Sequence, residues 1–123
     1  MANKQTTSIN VESAADLSAK TNQGKVLKLT AANVCNVAGV AGELCIGILA
    51  NSPKAGDMAE VNVGHIVEAL AGGTITAGQK LTGNAAGKLV TAASTNHVHG
   101  IAIDSATVDQ KFRMLWNPTG ILA

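Results

Sequence analysis

The stretch GNAAGKL, residues 83 to 89, carries two glycines and a following lysine, the raw material of a phosphate-binding loop. Such a loop needs four residues between the glycines and a Ser or Thr after the lysine. The backbone amides then wrap the phosphates and the hydroxyl ligates magnesium. Here only Asn84, Ala85 and Ala86 separate the glycines, and Leu89 stands in the hydroxyl's place. The next residues read as a short strand, not as a helix whose N-terminus would add its dipole to an anion site. The stretch therefore reads as a β-hairpin, with glycine and asparagine supplying positive φ angles at the turn.

His97 and His99 form HVH. On a strand, residues two apart project to the same face, so both imidazoles could grip one zinc or copper ion. A third ligand would have to come from afar, from His65 or a cysteine. The competing reading is a pair of solvated strand histidines, and no metal is assigned. The carboxylates Glu12, Asp16, Glu43, Asp57, Glu60, Glu68, Asp104 and Asp109 show no acid/base spacing. Turn preference alone accounts for Asp57, Asp104 and Asp109. No G-x-S-x-G elbow is present. Lys20, Lys25 and Lys28 come nearest to a basic patch, without an aromatic platform beside them. These residues point away from an enzyme, a cofactor or a nucleic-acid partner.

Composition bounds what remains. The chain has 123 residues and a formal net charge of +1, which leaves no basic field to hold nucleic acid. Charged residues are 14% of the chain, against about 25% in an average soluble protein. Apolar residues are 46%, yet Phe112 and Trp116 are the only aromatics. Small side chains bury little area each, at about 25 cal/mol per Å², so the core should be thin. A weakly charged surface over a thin core points to a surface meant to be covered by a partner or by further copies. The polar start, MANKQTTSIN, lacks the apolar core of a signal peptide. No apolar run approaches the roughly 18 residues of a membrane span. Cys35 and Cys45 lie in apolar stretches and read as buried free thiols.

The elements that must position these residues are short. Residues 1–24 are mostly polar and read as an N-terminal arm, extended or partly helical, that needs something to lie against. From Lys25 the pattern changes to short strands: KVLKLT, ANVCNVAGV, LCIGILA, DMAEVNV, HIVEAL, QKLT, KLVTA, HGIAID and KFRMLW. Glycines or turn residues punctuate nearly every gap. Many short strands with Gly-rich turns predict an all-β fold, a small barrel or sandwich over residues 25–123. One internal echo stands out. GILANSPKAGDMAEVNV, from Gly47, aligns without gaps on GIAIDSATVDQKFRMLW, from Gly100. Ala59, Val61 and Val63 fall opposite Phe112, Met114 and Trp116. Each unit reads as strand, loop and strand with one apolar face, and the two faces are expected to pack into one small core.

With these pieces in place, residues 39 to 116 resemble the capsid cement, or head decoration, proteins of tailed bacteriophages. The matching pieces are Ala55-Gly56-Asp57, Val61 and Val63, Gly64, Val67, TITAGQKL, GKLVTA and GIAIDSA. One departure is TVDQ at 107–110, where the family usually repeats a glycine before its last strand. The resemblance implies a β-tulip-like fold and a structural role, with no catalysis. It implies a protein on the exterior of the virion capsid, made in the bacterial host cytoplasm. Its partner would be the phage major capsid protein, gripped after the shell expands, often by homotrimers at three-fold positions. Apolar residues in the arm or near the C-terminal end are the expected contacts: Ile9, Val11, Leu17, Trp116, Ile121 and Leu122. A second reading is a lipoyl- or biotinyl-like carrier domain, with Lys88 as the modified lysine at its hairpin. Gly87 and Leu89 beside it are not the acidic or methionine neighbours that such carriers use.

Overall fold

The computed structural model describes residues 7–122. The short apolar runs form ten strands: β1 (Ser8–Ser13), β2 (Val26–Ala31), β3 (Val34–Val37), β4 (Gly47–Leu49), β5 (Met58–Asn62), β6 (Ile66–Leu70), β7 (Lys80–Gly83), β8 (Leu89–Thr91), β9 (His97–Ala102) and β10 (Lys111–Ile121). A single turn of 3-10 helix, Lys20–Asn22, precedes β2, and the described residues contain no α-helix. The all-β expectation is borne out.

Strands β1, β3, β2, β4 and β5 close into a barrel in that order. The closing strand is β1, antiparallel to β5 on one side and parallel to β3 on the other. Strands β6, β10, β9, β7 and β8 form a second five-stranded sheet. It curls until β8 meets the chain just after β6, at one parallel bridge between Ala71 and Leu89.

The two halves are copies of one unit. Leu49 opposite Val61 in the first matches Ala102 opposite Met114 in the second. Leu27 opposite Gly47 matches Leu81 opposite Gly100. Leu27 opposite Val37 matches Leu81 opposite Thr91, and Ser8 opposite Asn62 matches Ile66 opposite Leu115. Turn hydrogen bonds repeat as well. Asn51 Oδ1 accepts the Glu60 amide as Asp104 Oδ2 accepts that of Arg113. The sequence echo from Gly47 and Gly100 is thus the visible part of a duplication that spans all ten strands. The shared Gly has a physical cause. A Cβ at Gly47 would lie 2.6 Å from the Asn62 carbonyl oxygen, and one at Gly100 would collide with the equivalent oxygen of Leu115.

The halves keep separate cores. Val11, Leu17, Leu27, Cys35, Leu49, Ala59 and Val61 fill the first barrel. The second core holds Val67, Ala69, Ile75, Leu81, Leu89, Ala102, Phe112, Met114 and Trp116. The expectation that Ala59 and Val61 would share a core with Phe112 and Met114 is therefore corrected. Each apolar strand face turns into its own unit, because strand partners within a unit are already in register. What joins the halves is the alternation of β2 and β4. Leu27 and Leu49 point into the first barrel, while Val26 and Ile48 point out of it and into the second core. Val26 and Leu27 at the start of β2, with β4, form a wall buried on both faces, and full burial of each such side chain is worth about 1.5–3 kcal/mol.

One difference between the copies shapes the surface. In the first half the Glu12 amide donates to Asn33 O at 3.1 Å and seals the barrel. The equivalent residues of the second half, Leu70 and Gly87, do not bond each other. Instead the Leu70 amide donates to Gly24 O at 2.9 Å, and Gly87 O accepts the Val26 amide at 2.8 Å. The segment Gly24–Val26 is wedged into the second unit's seam. Gly83 makes room for it: a Cβ there would meet a Val26 methyl at 2.6 Å.

The N-terminal segment is extended over Ser8–Ser13 and forms part of the first barrel. Both of its edges are paired, and Val11 and Ser13 are buried. Its polar residues, Asn10 and Glu12, face solvent on the outside of the barrel, which explains why the segment looked featureless. The part of the arm before residue 7 lies outside the described residues.

Candidate functional site

The hairpin at residues 83–89 is confirmed: Leu81, Thr82 and Gly83 pair with Thr91, Val90 and Leu89. Its turn chemistry differs in one respect from the expectation. Gly87 takes the positive φ, at 79°, whereas Asn84 acts through its side chain. Asn84 Oδ1 accepts the amides of Ala86 and Lys88 at 2.9 and 3.0 Å. No helix follows, so no helix dipole is aimed at the loop. Lys88, the lysine of the carrier reading, is ion-paired with Asp109.

The histidines of HVH lie on β9 with different fates. His97 is half-buried, and its amide donates to Gly42 O at 2.9 Å. His99 is fully buried, and its ring stacks on Trp116 with centroids 5.3 Å apart and planes 12° from parallel. Its Nε2 accepts the Cys45 amide at 3.1 Å. Burial, with the nearby His97 adding to it, pushes the His99 pKa down to about 4. The ring is therefore a neutral core group whose acceptor nitrogen is already used. Among the described residues, no three His, Cys, Asp or Glu side chains converge on one point.

Each turn carboxylate serves its loop. Asp57 Oδ2 accepts the Lys54 amide at 3.2 Å. Asp104 binds the Arg113 guanidinium and amide, which hold its carboxyl below the usual range. Asp109 sits where the first unit has Gly56, with φ 64° against 85°. The missing family glycine before the last strand is thus replaced by an aspartate in the same left-handed conformation, which Asp tolerates better than most residues. Both cysteines are buried free thiols. Burial raises the thiol pKa of each, that of Cys45 to about 12.

The six expected contact residues divide. Val11, Leu17 and Trp116 are buried in the two cores. The first two lie on the polar N-terminal segment, whose composition gives no sign in the sequence that it enters the first core. Trp116 falls on the inward face of β10 and under His99. Ile9 and Ile121 are exposed, and Leu122 is half-buried.

Of the other exposed large apolar residues, Leu29, Val40, Leu44, Met58, Ile101, Ile103 and Val108, two flank one turn. Val40 and Leu44, 61% and 62% exposed, flank the turn that carries Glu43. Burial works against ionising Glu43, but the amides of Val40 and Gly39 and the ammonium of Lys28 outweigh it and lower its pKa. The turn is held rigid while its apolar side chains face outward. Gly42 O in this turn accepts the His97 amide, and His97 pairs with Ile121. Val40, Leu44 and Ile121 thereby belong to one end of the molecule. Val40 and Leu44 gave little sign of this in the sequence, since VAGEL reads like the other small apolar runs.

Comparison with known proteins agrees with the resemblance seen in the sequence. The family model described as phage cement protein matches residues 3–115. The crystal structure of the head fiber gp8.5 N base of bacteriophage phi29 has a similar fold, with a TM-score of 0.70 at 15% identity, covering 96% of this chain and 99% of that one. No curated protein matches the chain. With a family match over nearly its whole length, the chain belongs to the phage cement proteins, a family of structural proteins of the phage capsid.

Proposed function

We propose that this protein binds the outer surface of an expanded phage capsid and stabilises it by clamping neighbouring major capsid subunits. The observation that carries this reading is the cement-family match over residues 3–115. A fold shared with the base of a phage head fiber supports it. The protein would act on the virion exterior, after synthesis in the bacterial host cytoplasm, and as a homotrimer at three-fold positions. Many copies on one shell make weak contacts sufficient, because each bound copy stabilises the assembled state by mass action.

Of the expected contact residues, Ile9, Ile121 and Leu122 remain available. We add Val40 and Leu44, which a rigid turn presents at the same end as Ile121. A preorganised apolar tip loses little entropy on docking. The test is co-sedimentation with heads of the source virus, comparing unexpanded precursors with expanded shells stripped of this protein. Saturable binding to expanded shells is expected, weakened at least about tenfold in the double variant Val40→Asp, Leu44→Asp. Binding to neither shell would overturn the reading. Full-strength binding by the folded double variant would remove the tip from it.

A further inference from the structure

The wedge of Gly24–Val26 between the two halves leaves a cleft at its outer edge. The cleft, about 450 Å³, is lined by Lys20, Thr21, Gln23 and Lys25 from the first half and by Leu70, Lys88, Asp109 and Lys111 from the second. Four of the chain's nine basic residues line this one hollow. They come from four separate segments: the 3-10 turn, the approach to β2, the β7–β8 hairpin and the start of β10. With Asp109 as the one carboxylate, the lining sums to +3, so the remainder of a chain of net charge +1 sums to −2. Asp109 is taken by Lys88, and Lys25 Nζ donates to Asn22 Oδ1 at 2.9 Å. Lys20 and Lys111 are exposed and form no ion pair among the described residues. Glu68 borders the adjoining hollow beside Lys111, outside the cleft itself.

Like charges gathered in a concave site repel one another unless an anion or solvent screens them. Low-dielectric walls also focus their field on whatever enters. We propose that this cleft binds an acidic segment of a partner protein, its carboxylates meeting Lys20, Lys25, Lys88 and Lys111 and an apolar side chain meeting Leu70. A protein segment fits better than a nucleic acid for two reasons. The lining offers no aromatic face for a base to stack on, and the rest of the chain sums to −2, without the basic surplus that would hold a nucleic-acid backbone beyond the hollow. The four lysines act as flexible point charges that can meet carboxylates along a chain without demanding one fixed geometry. In the first unit the equivalent seam is closed by the Glu12–Asn33 bond. The site therefore exists because the duplicated halves meet asymmetrically. It assigns a location and a ligand chemistry that the capsid reading does not, and it is testable without capsids.

The experiment uses the full chain and a fluorescein-labelled peptide of repeated Glu-Glu-Leu, followed by anisotropy. Saturable binding is expected. It should weaken with added salt and fall at least about tenfold in Lys20→Glu, Lys111→Glu, a pair of exposed substitutions whose folding is checked by thermal melting. The variant Lys54→Glu, Lys80→Glu makes the same change in net charge outside the cleft and should bind as the parent does. A repeated Gln-Gln-Leu peptide should not bind. Absence of saturable binding overturns the proposal, and so does equal weakening in both charge-reversal variants. Displacement of the peptide by sodium phosphate or duplex DNA beyond that caused by sodium chloride at the same ionic strength overturns it in favour of a phosphate-binding cleft.

Discussion

Lowering the pH should destabilise this protein in a window that belongs to His99. The ring is fully buried against Trp116, and its Nε2 accepts the Cys45 amide. Protonating Nε2 would set two donors head to head in a site without solvent. The folded-state pKa is about 4, against an ordinary value of 6.5. The unfolded chain therefore binds the proton more readily, and stability falls as pH drops from about 6.5 towards 4. At about 1.4 kcal/mol per unit, the full loss by pH 4 is about 3 kcal/mol, with roughly half of it between pH 6.5 and 5. The half-exposed carboxylate of Glu43, with its pKa lowered, loses its interactions only below the ordinary carboxylate range, so the upper part of the window isolates the histidine. The assay is urea unfolding followed by Trp116 fluorescence, in steps from pH 7.5 to 4.5, for the parent and for His99→Gln. The glutamine variant should begin about 1–3 kcal/mol less stable, from lost stacking and packing. It should then show a flat pH profile between 6.5 and 5. An equal slope in both proteins would refute the argument, as would an NMR titration placing His99 near 6.5 in the folded state.

Other outcomes follow from particular contacts. Gly47→Ala and Gly100→Ala should each cost more than about 3 kcal/mol, because the new Cβ strikes backbone of the paired strand. Gly73→Ala, whose Cβ meets nothing, should change thermal stability by less than about 1 kcal/mol. Thr95 is a β-branched residue at φ 72°, so Thr95→Gly should gain about 0.5–1 kcal/mol in chemical denaturation. Cys35 and Cys45, buried with raised pKa values, should resist an aromatic disulfide reagent in the native state and react once urea unfolds the chain.

Much of this fold is local, and local features are legible in sequence. The period-2 alternation of Ala59, Val61 and Val63, or of Phe112, Met114 and Trp116, fixes both strand and inward face, because side chains alternate across a pleated sheet. Glycines place the turns, and the residues around Gly83 and Gly87 suffice to indicate the hairpin there. The matched Gly-Ile pairs at 47 and 100 announced the duplication, although only one of its strand pairs was visible. The copies have drifted so far that β1 and β6 share register without sharing a residue, and β2 and β7 share only the leucine at 27 and 81.

Tertiary structure decided what alternation cannot encode, namely which surface covers which face. Ile9, Val11 and Leu17 looked like spare apolar groups on an arm, yet only Ile9 is exposed. Val26 and Ile48 sit at outward positions of their own barrel and are buried because the second half lies against them. Lys20, Lys25, Lys88 and Lys111 are scattered over the sequence and share a cleft only because Gly24–Val26 enters the other unit's seam. Strand, turn and repeat follow from interactions between near neighbours in the chain, which the sequence carries by itself. Burial, the shifted pKa of His99 and the gathering of charge depend on long-range packing, which exists only once the two halves have docked.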